Sequence, residues 1–396
     1  MPEVRSVLER ARSNFPAPEM PLEGILRRRE RRQRNQRIAA GVLGVVVVLV
    51  VAAGGASLLR SDPQPADHSD PGLSPILREG EVLEPVDING PDARLDALDP
   101  ATGATRTLFG CADSCGYIWR YALSPDGRWL AYEVGQCVSE LPCGVWVTNA
   151  AGDQRQLMST EVAAGEASWT WSAQGATLLA TDGHEVFAVD PFDASRIPLG
   201  TGRSVSALAG SPDGSLVAFG DRWAVWTVPS DGGGVATRVS DNDGYVGAID
   251  WSPDGTRLAV DTASGPSFSS ISVVDLVEGT RTLIAEGSGG SGPAFPAWSP
   301  DGSRIAYVTT PSRRDDVVLE VWVANPDGSS LVRVFRDREL GPCCPYGTSG
   351  PPVWSPDGSQ IAFDAEALVR WFVVPADGSG PAEPILDGQA EAWRIS

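Results

Sequence analysis

The chain of 396 residues contains no lysine; all 31 basic residues are arginine, set against 51 acids. An arginine-only basic set marks a GC-rich genome and carries no information about fold. Histidine is nearly as scarce, with His68 in SDPQPADHSDPG and His184 in TDGHEV. A Ser-His-Asp triad would have to use His184, and no serine lies in a G-x-S-x-G elbow. A turn histidine facing water accounts better for that residue. The stretch SDNDG at 240–244 resembles the start of a calcium loop but lacks the later bidentate Glu, and reads as a turn. A glycosidase-like carboxylate pair is open in so acidic a chain, though nothing in the pattern selects one. Positive charge is short overall: the net charge is -20. Phosphate contacts need clustered cations, so nucleic acid is not an expected partner.

The charge is unevenly spread. Residues 1–60 carry 11 Arg against 5 Glu, a local +6, and the remainder carries 20 Arg against 46 acids, a local -26. Between the two regimes runs IAAGVLGVVVVLVVAAGGASLL at 38–59, 22 residues without a charge, bracketed by Arg37 and Arg60. As a helix it would be roughly 33 Å long at ~1.5 Å per residue, enough for a ~30 Å hydrocarbon core. RRRERRQRNQR precedes it; Asp62, Asp67 and Asp70 follow. The positive-inside rule therefore places 1–37 in the cytosol and everything after Arg60 outside. A cleaved signal peptide is the rival, with Gly54, Gly55 and Ala56 as small cleavage-site residues. The 37 residues before the run are too many for an ordinary n-region, and no Cys is there for lipid attachment. An uncleaved single-pass anchor is the expectation, with 60–81 as a Pro/Asp-rich linker.

Beyond it one phrase recurs. Leu123-Ser-Pro-Asp-Gly127, Trp171-Ser-Ala-Gln-Gly175, Gly210-Ser-Pro-Asp-Gly214, Trp251-Ser-Pro-Asp-Gly255, Trp298-Ser-Pro-Asp-Gly302 and Trp354-Ser-Pro-Asp-Gly358 align, with Ser-to-Ser spacings of 48, 39, 41, 47 and 56. A period near ~40–50 residues with short strands indicates propeller blades. Within the phrase Pro presets φ, Asp suits the third position, and Gly takes the positive φ that leads into the next strand. An apolar alternation such as RIAYV, RLAVD or QIAFD follows and reads as a half-buried second strand. A third strand comes next (GVWVTNA, AVWTVPS, EVWVANP) and then a fourth. The phrase is thus the turn between the first two strands of each blade. Its Asp residues, spread over separate blades, cannot converge on one substrate, and its Trp packs between blades. At the ends, EPVDING at 84–90 and RLDALDPATGATRTLFG at 94–110 supply later strands of one more blade, and EAWRIS at 391–396 its first. Such closure leaves no open sheet edge. The expected fold is an all-β, seven-bladed β-propeller, with six blades as the fallback, after an N-terminal transmembrane helix.

These W-S-P-D-G-x-x-[LI]-A units resemble the WD-like repeats of the TolB-type propeller, also found in the propeller domains of prolyl-oligopeptidase-like enzymes. The resemblance covers residues 82–396 and is specific for fold, much less so for function. The family's TolB proteins are soluble and periplasmic, with an α/β domain before the propeller. Here an anchor and a short cytosolic segment stand in that place, so TolB's envelope partners do not carry over, and no hydrolase domain follows.

In such a blade the long inserts fall opposite the S-P-D-G turns, at 135–144, 261–270, 309–316 and 336–352. Function tends to sit on loops held by a rigid scaffold. Arg313, Arg314, Asp315, Asp316, Arg336, Arg338 and Tyr346 are therefore the candidate binding residues. The six cysteines map to the same face, and an even number in an exported domain reads as disulfides, with 15 connectivities open. Local closure would join Cys111 to Cys115 and Cys137 to Cys143, leaving Cys343 and Cys344 as a strained vicinal pair; metal binding by thiolates and a redox-sensing pair are the rivals. The expected function is a non-catalytic binding or scaffolding module for envelope proteins, peptides or glycans, with no cofactor. A sensor relaying ectodomain binding to a cytosolic protein through 1–37, and a hydrolase with carboxylates at the channel, are the alternatives. The Arg cluster most simply orients the anchor and binds anionic headgroups.

Overall fold

A computed structural model describes residues 74–385, except 79–80, 87–92, 100–101, 111–116, 136–142, 160–167, 174–176, 243, 266–267, 289–291, 311–318, 338–349 and 366–369. Seven antiparallel sheets follow one another along the chain, each with its strands paired in sequence order. They make a seven-bladed propeller. Blade 1 (82–110) contributes three described strands; blades 2 to 7 (117–159, 169–198, 207–241, 245–288, 292–337 and 353–385) contribute four each. Blade 1 has Val82–Val86, Arg94–Asp99 and Ala104–Gly110, the strands expected from its sequence. The closing strand expected at 391–396 lies outside the described residues, as do the cytosolic segment and the anchor at 38–59. No helix among the described residues is long and apolar enough to cross a membrane. Residues 74–78 already pack on the propeller: Ile76 is buried, its N–H donates to the Gly127 carbonyl (2.8 Å), and Arg106 donates to its carbonyl (3.0 Å).

Each S-P-D-G turn is closed by its own side chains. At 252–257 the Ser252 hydroxyl donates to Asp254 Oδ1 (2.6 Å) and accepts the Arg257 N–H (2.9 Å), while the Gly255 N–H reaches the Ser252 carbonyl (2.8 Å). The 2.6 Å Ser–Asp bond recurs at Ser124, Ser211, Ser299 and Ser355. Gly255 sits at φ 69°, which only glycine adopts freely. These bonds hold Asp254, Asp301 and Asp357 down at about 2, so the repeated carboxylates are turn acceptors.

The second strands differ from the half-buried expectation: they are buried on both faces. Trp129–Gly135 is buried throughout, and Arg257–Ala263 throughout except at its ends. The alternation is real, but both sides meet a core. Leu258 and Val260 join a cluster with Ala207, Ala218 and Val225 of blade 4, while Ala259 joins Trp298, Ile305 and Tyr307 of blade 6. A small residue thus faces the following blade, where that blade's Trp needs room. The expected inter-blade role of the Trp holds. Trp171, Trp251 and Trp354 each donate their indole N–H to a carbonyl of the preceding blade, Ala122, Ala209 and Ala297, all at 3.0 Å.

The seam between blades 5 and 6 is built differently. The Trp298 indole N–H has no partner there, and two blade-5 carboxylates bind the backbone of the Gly292–Trp298 strand instead. Asp250 accepts the Trp298 N–H (2.7 Å), and Asp261 accepts those of Phe295 (2.9 Å) and Ala248 (2.7 Å). Both first strands bulge here, which frees N–H groups from the ladder for a side chain to satisfy. The fit is close: a Cβ on Gly247 would lie 2.4 Å from Asp261 Oδ1. Phe295, at φ 55°, is pinned by the Asp261 bond. Burial pushes Asp261 and Asp250 up to about 6, although the backbone N–H bonds pull the other way.

Two predictions follow from these contacts. Ser252→Ala removes the side-chain acceptor of the Arg257 N–H and one of the bonds to the exposed Asp254 carboxylate, which keeps those from Thr256, and should lower stability by about 1 kcal/mol in denaturant unfolding; an unchanged midpoint would mean the hydroxyl is dispensable. The carboxylates titrate near 3.8 when unfolded and about 6 when folded, so the folded state holds protons the unfolded chain has released. Their contribution to stability is complete below about pH 4 and is lost as pH rises through 6. Asp261→Asn should flatten the slope of melting temperature against pH in that window, and a slope equal to the parent's would show that Asp261 is not desolvated.

Candidate functional site

In each blade the hairpins joining second to third strands, and the connections between blades, share the end opposite the S-P-D-G turns. Most residues expected to bind there lie outside the described residues: Arg313, Arg314, Asp315, Asp316, Arg338 and Tyr346, with Cys111, Cys115, Cys137, Cys343 and Cys344. Cys143 is described, next to the Gly144–Asn149 strand; the pairing expected for it with Cys137 falls outside the described residues. Arg336 is held on its own blade, pairing with Glu320 (3.3 Å), which also takes Arg333 (3.2 Å) and the Trp322 indole N–H (3.1 Å). The described part of the 261–270 loop presents Phe268, 41% exposed.

What the structure brings together on this end comes from residues the sequence reading passed over. The hairpin at 182–185 in blade 3 is latched to the connection into blade 4: the Arg203 N–H donates to the His184 carbonyl (3.0 Å), and Glu185 accepts the Thr201 N–H (2.7 Å) and hydroxyl (2.8 Å). Burial alone would raise the Glu185 carboxyl, but bonds from Thr201, Gly202 and Val186 outweigh it and hold the group below its usual range. His184 itself is exposed, as its turn position suggested. Arg203 then stacks on Trp226 (3.8 Å), whose indole N–H donates to Asp221 (2.9 Å). Asp221 also caps the hairpin, accepting the Trp223 and Ala224 N–H groups at 2.7 Å. Trp223 is left 60% exposed, with Arg222 beside it (5.3 Å).

The Trp223 carbonyl accepts the Asn242 N–H (2.7 Å), tying the next connection to this hairpin. Tyr245, 51% exposed, starts the first strand of blade 5, pairing with Ala263, which pairs with Ser269 beside Phe268. Trp223, Tyr245 and Phe268 therefore lie along one end of blades 4 and 5, each on backbone fixed by hydrogen bonds. A Trp in the turn "DRWAV" (221–225) is the one sequence signal that pointed here, because a hairpin turn ordinarily avoids a large exposed ring.

The first and second strands of the blades supply carboxylates, the residue type a hydrolase would need. Asp261 and Asp250 spend their oxygens on backbone N–H groups, as above. Burial likewise raises Glu133 in blade 2, opposed by a bond from the Trp169 indole N–H (3.0 Å) and by Arg120. All three hold the fold. On the opposite end, a cleft of about 630 Å³ runs between blades 5 and 6, lined by Arg257, Asp275, Glu278, Asn325 and Asp327 among others. There Asp275 binds the Val277 and Glu278 N–H groups, and Asp327 binds Ser329, so these two aspartates are turn formers too. No group of His, Cys, Asp and Glu arranged to hold a metal occurs among the described residues.

No family model matches the chain. An uncharacterized protein of Agrobacterium fabrum is 28% identical over 193 residues, 45% of this chain and 59% of that protein, so the chain spans under two thirds of that relative's length. Among solved structures, a putative TolB from Agrobacterium tumefaciens is 24% identical, covering 59% of this chain and 83% of its own, at a TM-score of 0.43. Hydrazine synthase from Kuenenia stuttgartiensis (16% identity, 70% and 82% covered) overlays at 0.51. An oligogalacturonate lyase in complex with manganese (13% identity, 77% and 84% covered) overlays at 0.50. The last two share the fold with this chain and, at these identities, nothing finer. The seven sheets make the chain a β-propeller, and its repeated Trp-Ser-Pro-Asp-Gly turn resembles that of the TolB-type propellers.

Proposed function

We propose that the chain is a membrane-anchored, extracytoplasmic binding or scaffolding module that takes an envelope protein, peptide or glycan on the loop end of its propeller. The observation that carries this reading is the set of exposed rings, Trp223, Tyr245 and Phe268, mounted on hydrogen-bonded loops. The three rings share one end of blades 4 and 5, and aromatic residues dominate binding energetics. The anchor is the 38–59 run, oriented by the Arg cluster before it. Non-catalytic binding suits inner carboxylates that are engaged with backbone.

Crosslinking in intact cells followed by co-purification tests it. Three forms are compared: the full chain, one lacking 1–26, and the Trp223→Ala/Tyr245→Ala double variant. The expected result is a partner retained without 1–26 and weakened about tenfold or more by the double variant. A partner lost only with 1–26 would be cytosolic, overturning this reading in favour of a transmembrane sensor.

A further inference from the structure

The seam between blades 1 and 2 departs from the pattern of four others. In those, an alanine of one blade's second strand packs with the tryptophan of the next blade's phrase: Ala131 with Trp171, Ala218 with Trp251, Ala259 with Trp298 and Ala306 with Trp354. Arginines cover two of these tryptophans, Arg257 over Trp298 and Arg304 over Trp354. Each of the two also donates to the carbonyl of the next blade's turn glycine, Gly302 (3.4 Å) and Gly358 (2.7 Å). In blade 1, Glu81-Val82-Leu83 stands where blade 5 has Arg257-Leu258-Ala259, and the phrase of blade 2 begins with Leu123. Leucines thus replace both the alanine and the tryptophan, and a glutamate replaces the arginine. A leucine offers no ring face to a guanidinium, so this seam needs an apolar cover.

The chain ahead of blade 1 supplies it. Ile76, 2% exposed, joins Leu83, Leu123, Leu130 and Tyr132 in one buried cluster. Its N–H donates to the carbonyl of Gly127, the turn glycine of blade 2 (2.8 Å). That is the acceptor which Arg257 and Arg304 use at their own seams. The Ile76 carbonyl is held from blade 1, where Arg106 donates to it (3.0 Å) and pairs with Glu81 (2.7 Å). Glu81 also accepts the Arg78 N–H (2.8 Å), which fixes the turn back into the Val82–Val86 strand.

We propose that residues 74–78 are a releasable clasp that fastens blade 1 to blade 2, in place of the arginine and tryptophan used at other seams. The propeller on this account begins at 74, inside the stretch expected to be linker. The clasp belongs to neither sheet, so it can leave while both blades keep their ladders. A pull on the chain ahead of it therefore loosens this seam before the seams closed by residues of the blades themselves.

Hydrogen exchange followed by mass spectrometry, on the full chain in detergent micelles, tests the clasp. The strands at 82–86 and 117–123 report on the seam, and those at 257–263 and 305–310 serve as the reference. Ile76→Ser should speed exchange in the first two about tenfold or more and leave the reference within about twofold. Arg106→Gln frees the Ile76 carbonyl while keeping the apolar cluster, and should speed exchange in the same two strands by a smaller factor. It keeps the test decisive if Ile76→Ser does not fold. Exchange at 82–86 and 117–123 equal to the parent's in the folded variants would overturn the proposal. So would an equal rise in all four strands, the result expected of a buried isoleucine that supports the whole ring and closes no particular seam.

Discussion

Everything else in this propeller depends on burying each blade's second strand from both sides. An antiparallel sheet with one face in water needs only one partner; a strand apolar on both faces needs two. Leu258 and Val260 look toward blade 4 and Ala259 toward blade 6, and the same division recurs around the ring with Leu130, Tyr132 and Ala131 in blade 2. No blade can complete its core alone, so the repeat is cooperative by construction. The large residue against one neighbour and the alanine against the other set the spacing, because the alanine makes room for the following blade's tryptophan.

Polar groups then secure seams that apolar packing has already brought together. Three phrase tryptophans reach back to a carbonyl of the blade before, so their indole N–H groups are not orphaned on burial. Arg257 and Arg304 lie over the tryptophans of the next blade, 4.7 and 4.9 Å from the ring centres. The seam between blades 5 and 6 exchanges this pattern for two carboxylates on the bulged strand. There the bulges leave backbone donors that no ladder can satisfy, and a buried aspartate is the acceptor that fits. Asp250 and Asp261 are thus committed to this seam.

The loop end behaves differently. Its connections are latched by Glu185, Asp221 and Asp261, all accepting backbone N–H groups, so the loops are extensions of the sheets. On that frame stand the exposed rings of Trp223, Tyr245 and Phe268. Preorganised groups lose little freedom on binding, which is the advantage a scaffold of this kind offers a recognition surface.

The blade number, the strand order and the turn chemistry were all legible in the sequence, because a turn that needs Pro, Asp and positive-φ Gly leaves Ser-Pro-Asp-Gly in five of the six copies. The inter-blade place of the tryptophan followed from the same repetition. What the period of two could not reveal is that both faces of the second strand are interior: alternation reports that faces differ, and large and small apolar residues alternate as visibly as apolar and polar ones. The site was less legible still. Arg336 looked free in a loop-flanking stretch and is paired to Glu320 across the strand, a partner 16 residues away. Trp223 and Tyr245 belong to different blades and to no common motif, and the Asn242 N–H bond to the Trp223 carbonyl ties one blade's hairpin to the connection that leads into the next. Local turn chemistry is written residue by residue; a surface assembled between repeats exists only once the repeats have packed.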